Sequence, residues 1–521
     1  MSQQLLERNT ANFRKIGGLQ YFLYAASVIA VLCAALPVGY LMNRALSSDS
    51  QSLSTVLFRA KSISIFTTTL GLTALVTLGA LLLGVALGWI LNHVAIKNVA
   101  AWRAATVIPI AIPSYVFTYC WMTLNPGLRG FWAAALVLIL STAPFVTLAT
   151  LAALRRVDWS QYEVAQTLGL NPTKTFFKIT LPQIRNQLAA GALLVALYVL
   201  SDFGAVALLG VDTFTRAISN LYRGSFDRST AAFLALVLVA ISAVIIFLES
   251  KVRTDSTARR STTKIVAGVK PFDSLRIRLV SYLLLTAYVS LSLALPLLLL
   301  ISRFFSNQPS IEFAPLFSAT FNTVLAAAIG AIVAVSIALP VGILLQQGSR
   351  LAKLADSSVL VVHSLPGIVM GLALVAMGSQ IGWLYQTLGL LAFSYALLFM
   401  AKGVGSVRTA LAKVPANLLE ISATLGQSKV QTVKRVAIPL AAPGIFSGTL
   451  LIFLAAMKEL PATLMLRPTG FETLATEIWN YTSISRFSEA APYALALVIT
   501  AAIPTFLINR PDRSENAREA S

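Results

Sequence analysis

The sequence predicts an all-α polytopic membrane protein, with about twelve transmembrane helices in two homologous six-helix halves. Three observations carry this expectation. Of the 521 residues, 57% are hydrophobic and only 12% charged, whereas a soluble domain carries about 25% charged residues. Apolar runs long enough for a hydrocarbon core of about 30 Å recur along the whole chain. One polar segment appears twice, at a constant separation.

The apolar runs occupy 21–42, 63–91, 101–124, 131–154, 188–210 and 230–248, and then 279–302, 317–346, 357–378, 384–406, 444–466 and 490–509. Pro109, Pro113, Pro340 and Pro366 interrupt several of them, which membrane helices tolerate where neighbours satisfy the freed backbone groups. The first run is too long for a signal-peptide core and lacks a small-residue cleavage site, so it reads as a span. Cys33 and Cys120 both fall in apolar runs, which argues against a disulfide framework. The organisation expected is a first half over 1–250, a basic cytoplasmic linker over 251–278, a second half over 279–510 and a tail over 511–521. The polar stretch 249–278 holds Lys251, Arg253, Arg259, Arg260, Lys264 and Lys270 among Ser and Thr, the composition of a flexible tether.

Charge orients the chain. With both termini on the cytoplasmic side, the cytoplasmic segments, counting Lys402 at a span end, hold 29 of the 40 Lys and Arg residues. The opposite loops hold few, nearly balanced by Asp and Glu, which is the positive-inside pattern. The net charge of +20 is therefore topological, and no soluble domain is present to read nucleic acid. Trp102, Trp121, Trp132, Trp383 and Trp479 lie near span ends and read as interfacial anchors.

Self-comparison is the most informative test. Glu163-Val-Ala-Gln-Thr-Leu-Gly169, followed by Ile179-Thr-Leu-Pro182, recurs as Glu420-Ile-Ser-Ala-Thr-Leu-Gly426, followed by Val436-Ala-Ile-Pro439, with a separation of 257 residues. The copies lie in basic loops, 158–187 and 413–443, each after the fourth span of its half. Ser160 with Glu163, and Asn417 with Glu420, have capping-box spacing. Gly169 and Gly426 suit a left-handed helix end. Asn171 and Ser428 then cap a second helix, which Pro182 and Pro439 are expected to interrupt. Small residues (Ala165, Gly169, Ser422, Gly426) would let a partner's backbone approach the elbow closely.

This pattern resembles the EAA loop of binding-protein-dependent ABC import permeases, and the likeness extends over nearly all of the chain. In that pattern Glu163, Ala165, Gly169 and Pro182 match in the first copy. Glu420, Gly426 and Pro439 match in the second, where Ser422 replaces the usual alanine. The resemblance implies the fold of a type I ABC importer permease, with each elbow docking on a cytoplasmic ABC ATPase, a homodimer that binds the ATP and Mg. It implies a periplasmic substrate-binding protein, location in the bacterial inner membrane, and no cofactor in this chain. The chain has no Gly-Lys-Ser or Gly-Lys-Thr phosphate loop, so hydrolysis belongs to another polypeptide.

Ionisable residues inside spans carry a functional hypothesis. Asp202 in the fifth span and Glu459 in the eleventh share the separation of 257, and Lys458 adjoins Glu459. These three are pathway candidates. Ion pairing, or capping of broken helices, is the structural reading of the carboxylates, and both readings stand at this point. Ser201-Asp-Phe-Gly-Ala205, Met457-Lys-Glu-Leu-Pro-Ala-Thr463 and Leu466-Arg-Pro468 resemble fused ferric-iron permeases, while thiamine, polyamine and sulfate relatives carry similar segments. His93 and His363 read as hydrogen-bonded interface residues, and no cluster has metal-ligand spacing. A secondary transporter of two six-helix halves is the alternative. It gives no reason for a repeated elbow. A membrane-embedded enzyme lacks any nucleophile or metal constellation.

Overall fold

The computed structural model describes residues 18–46, 59–155, 157–223, 228–258, 274–306 and 312–508. The described residues form helices α1 (Gly18–Leu46), α2 (Ala60–His93), α3 (Val99–Val107), α4 (Ser114–Leu124), α5 (Phe131–Leu154), α6 (Trp159–Thr167), α7 (Pro172–Thr175), α8 (Leu181–Ser201), α9 (Gly204–Leu208), α10 (Phe214–Arg223) and α11 (Arg228–Ala258). The second series is α12 (Leu275–Val289), α13 (Leu295–Ser306), α14 (Phe313–Gln346), α15 (Arg350–His363), α16 (Gly367–Gln380), α17 (Leu388–Ala412), α18 (Ala416–Thr424), α19 (Lys429–Thr432), α20 (Ile438–Met457), α21 (Pro461–Leu466), α22 (Leu474–Ser483) and α23 (Phe487–Ile508). From α2 to α11 the order of elements repeats in α14 to α23.

Among the described residues, ten helices are long and apolar enough to cross a membrane, or up to twelve if two bent pairs are each one span. The pairs are the third and ninth expected spans. Val99–Ala111 meets Ser114–Leu124 at 97°, and Arg350–His363 meets Gly367–Gln380 at 103°. Pro109 and Pro113 lie at the first bend and Pro366 at the second. Pro340, by contrast, lies inside the unbroken α14, so it does not interrupt its span. The fifth and eleventh spans end earlier than expected, at Ser201 and Met457, and the chain breaks before the short α9 and α21.

The tether is shorter than the polar composition suggests. Its first residues, Glu249–Ala258, continue α11 as helix, and Leu275 already begins α12. Arg259, Arg260, Lys264 and Lys270 lie outside the described residues, as does the tail 511–521.

Within each half, α2 packs on α5 and α14 on α17. A Cβ at Gly88 would collide with the Thr150 side chain, and one at the equivalent Gly342 with Val407, so glycine sets how closely these helix pairs approach. Hydroxyls on the packed faces turn back to the preceding turn: Thr147 donates to the Ala143 carbonyl at 3.1 Å and Thr150 to that of Val146 at 2.8 Å. This satisfies polar groups where no water reaches them.

The first helix of each half crosses to the other half. Helix α1 packs on α14, α15 and α16 as well as on α11, and α12 and α13 pack on α2, α3 and α4. Leu23, Ala30, Ala34 and Leu41 share a core with the second half, while Leu285, Tyr288 and Leu300 share one with the first. Tyr288 Oη donates to the Leu140 carbonyl at 3.1 Å, and the Lys97 amide donates to Tyr282 Oη at 2.9 Å. Their outer faces stay apolar and uncovered, as at Tyr21, Phe22, Leu279, Val280 and Leu283.

Trp102 packs edge-on against Tyr282, and Trp479 lies 5.1 Å from Phe203 of the other half. These two tryptophans therefore pack at the seam between halves, whereas Trp132 and Trp383 are exposed.

Candidate coupling elbows and the seam between the halves

Both repeated loops fold into helix–turn–helix elbows, α6–α7 and α18–α19, in register at the separation of 257. The caps are not those expected from spacing. Asp158 caps α6, accepting from the Ser160 amide at 3.2 Å and the Ser160 hydroxyl at 2.6 Å. The hydroxyl donation holds the Asp158 carboxyl below its usual value. Pro415 precedes α18, with no side-chain cap. Ser160 and Asn417 are already inside their helices, where a side chain no longer reaches the orphan amides.

Gly169 and Gly426 close the first helices at φ +81° and +78°. The Leu170 amide donates to the Ala165 carbonyl and that of Gln427 to Ser422, both at 3.1 Å, the bond pattern of a left-handed helix end. Asn171 Oδ1 then accepts from the Lys174 amide at 2.8 Å. Ser428 and Gln431 cap the other second helix reciprocally, at 3.3 and 2.9 Å.

Pro182 and Pro439 do not interrupt the helical path, contrary to expectation. Each sits at the start of its helix, preceded by a π-helical turn, Phe176–Thr180 or Val433–Ala437. A proline ring clashes with the carbonyl four residues back in a regular α-helix, and the wider π turn gives it room. Each elbow thus runs without a gap into a membrane span.

Burial sorts the repeated residues into two faces. Ala165 and Ser422 are buried, and Ser422 Oγ lies 2.9 Å from Thr432 Oγ1. Their small side chains face the rest of the chain, and Ser422 joins the two helices of its elbow. Glu163, Gly169, Pro182, Glu420, Gly426 and Pro439 are all exposed. Val164, Leu168, Ile421 and Leu425 are exposed as well, at 57%, 78%, 51% and 74%, a pair of large apolar side chains on each elbow. Sequence reasoning passed over these four, although they fall inside the repeat at equivalent positions.

The first elbow is the more firmly seated. Trp159 and Tyr162 pack in a core with Leu154, Val157, Ile184 and Leu188. His93 stacks on Trp89 and meets Trp159 edge-on at 4.8 Å, its Nδ1 lying 3.2 Å from the Trp89 carbonyl. His363 Nδ1 lies 3.2 Å from the Leu398 carbonyl. Both histidines are thus interface residues.

The three pathway candidates lie at the breaks, not within spans. Asp202 Oδ1 accepts from the Ala205 amide at 3.0 Å and the Val206 amide at 3.4 Å, capping α9. Glu459 Oε1 accepts from the Ala462 amide at 2.8 Å, capping α21, and its carboxylate lies against Gly367 at the start of α16. Each carboxylate therefore meets the start of a short helix of its own half, where backbone amides favour an anion. Lys458 instead crosses the seam, its Nζ donating to the Ile110 carbonyl at 3.1 Å in the first half's bend.

A family model described as "Binding-protein-dependent transport system inner membrane component" matches residues 80–251 and again 338–510. An Fe(3+)-transport system permease protein of Haemophilus influenzae is 30% identical over 499 residues, covering 94% of this chain and 98% of that protein. A molybdate/tungstate transport system permease protein of Pyrococcus furiosus is 30% identical over 36% of this chain and 74% of its own length. Among solved structures, an inward-facing methionine ABC transporter chain aligns with a TM-score of 0.34 at 20% identity, covering 37% of this chain and 93% of that one.

Proposed function

Because the chain belongs to the family of binding-protein-dependent transport system inner membrane components, as an ABC importer permease with both homologous halves in one polypeptide, we propose that it carries ferric iron across the inner membrane. Two partners complete this reading. A periplasmic binding protein delivers the metal to the outer face, and a cytoplasmic ATPase dimer docks on the two elbows. Both termini then lie in the cytoplasm, on the side of the basic loops.

The carrying observation for the partner is the duplicated elbow. Exposed Val164 and Leu168, and Ile421 and Leu425, offer two equivalent apolar contacts beside Glu163 and Glu420. A two-fold motor closing on ATP would move both at once. The elbows are continuous with α8 and α20, so a displacement at the elbow passes into the spans and the breaks at Asp202 and Glu459. The result is rigid-body rocking of the halves. For the cargo, support comes from the ferric permease that matches over almost the full length, whereas the molybdate/tungstate relative matches about a third of the chain.

The test is uptake of radiolabelled ferric iron by cells with and without this chain. We expect the deletion to abolish high-affinity uptake. Unchanged iron uptake alongside lost sulfate or thiamine uptake would reassign the cargo.

A further inference from the structure

Helices α5 and α17 hold equivalent places, yet their accessible faces differ in chemistry. On α17, Lys402 and Thr409 are exposed and Gly405 and Ser406 half-buried, a single face by helical spacing. The equivalent residues of α5 are Phe145, Leu148, Ala149 and Ala152. Lys402 reads in sequence as a cytoplasmic span-end residue, but α17 runs on to Ala412, which leaves this ammonium inside the span. A lysine there is costly unless it faces water or a partner.

The Lys402 side chain lies over the Phe399 ring at 5.0 Å, and its charge interacts with those of Lys458 and Glu459. Those residues sit at the seam, since Lys458 reaches Ile110 of the other half. Lys402 is therefore turned toward the seam, while Ser406 of the same face packs on Gly448 of α20. Among the described residues neither lysine has a carboxylate within ion-pair distance. Glu459 is held by the Ala462 amide and packed on Gly367. Among the described residues Lys458 uses one of its three N–H groups on a carbonyl, and Lys402 uses none in a hydrogen bond. In the first half the equivalent positions are Phe145 and Ser201, without charge.

We propose that Lys402 and Lys458 form a one-sided cationic station on the transport route, which takes an anion: either a tetrahedral oxyanion or a ferric ion escorted by anionic ligands. The station rests on the reading that this chain lines the route. Two ammonium groups that have no carboxylate at ion-pair distance among the described residues, beside an already committed carboxylate, attract negative charge and repel a bare cation. A ferric ion passing here would keep its anionic ligands.

The test uses the full chain with Cys33→Ala, Cys120→Ala and Gly405→Cys, since a side chain at Gly405 meets open space. We expect an anionic sulfonate thiol reagent to modify this cysteine on the order of tenfold faster than a cationic trimethylammonium reagent, each corrected for its rate with free thiol. Lys402→Gln with Lys458→Gln should erase that preference. Equal rates, a cation preference or no modification by either reagent would overturn the station. Cells carrying the whole transporter separate the two sources. Uptake of labelled sulfate or phosphate lost in the double glutamine variant and kept in the double arginine variant identifies a free oxyanion. Iron uptake that needs citrate and obeys the same pattern identifies the escorted metal. Wild-type uptake of every probe by the double glutamine variant also overturns the station. Sulfate uptake that obeys the pattern without any iron uptake would sink the ferric reading and leave the station standing.

Discussion

Asp202 and Glu459 show what single residues do at the breaks. Their separation marks them as a pair, but not the job that they share. Each accepts from amides at the start of a short helix, which is the capping that the structural reading expects. Asp202→Ala leaves two buried amides without an acceptor, at a cost of about 1–3 kcal/mol. Asp202→Asn keeps an acceptor and should cost less. The thermal midpoint of the purified protein checks the order, and an alanine variant as stable as the asparagine one would contradict it. Gly169 and Gly426 were legible in the sequence, because only glycine takes their positive φ without strain. Gly169→Ala with Gly426→Ala should loosen both elbows by about 1–2 kcal/mol each. Faster hydrogen exchange confined to 158–182 and 415–439 is the expected signature.

Elements were legible to different degrees. The two elbows arise from local chemistry: helix-ending glycines, Asn171 and Ser428 as caps, prolines at a span start. Their first caps were misplaced because spacing alone does not say where the first helical residue falls, and Asp158 or Pro415 came earlier. The direction of Ala165 and Ser422 was also hidden, since a small residue suits an inner contact and an outer one equally. Only packing showed that they face inward, which left the outer contact to Val164, Leu168, Ile421 and Leu425. We expect Leu168→Asp with Leu425→Asp to abolish copurification of the ATPase while the permease keeps its thermal midpoint, because these side chains are exposed. Retained copurification would place the docking surface elsewhere. Pro109, Pro113 and Pro366 mark interruptions in the third and ninth spans in sequence, and only the tertiary structure gives the bends of 97° and 103°.

At the scale of the molecule, the halves are interlocked. Each first helix completes the core of the other half, so neither half buries its apolar surface alone. Removing 1–46 should therefore expose α14, α15 and α16, in the second half. Proteolysis beyond residue 312 would increase, and cleavage confined to the first half would refute the exchange. If the chain is cut within the tether, co-expressed 1–258 and 259–521 should still copurify as one complex.

What the sequence determined by itself is whatever depends on neighbours along the chain: length of apolar runs, the repeat and the turns within it. These are local, since a helix satisfies its own backbone and lipid selects only for apolar length. Tertiary structure alone decided where α1 and α12–α13 pack, which faces of the elbows are free and how Lys458 crosses to the other half. Those outcomes depend on shape and contact between distant segments, and in lipid every apolar helix face has the same solvent. Only close packing and a few satisfied polar groups distinguish one arrangement from another.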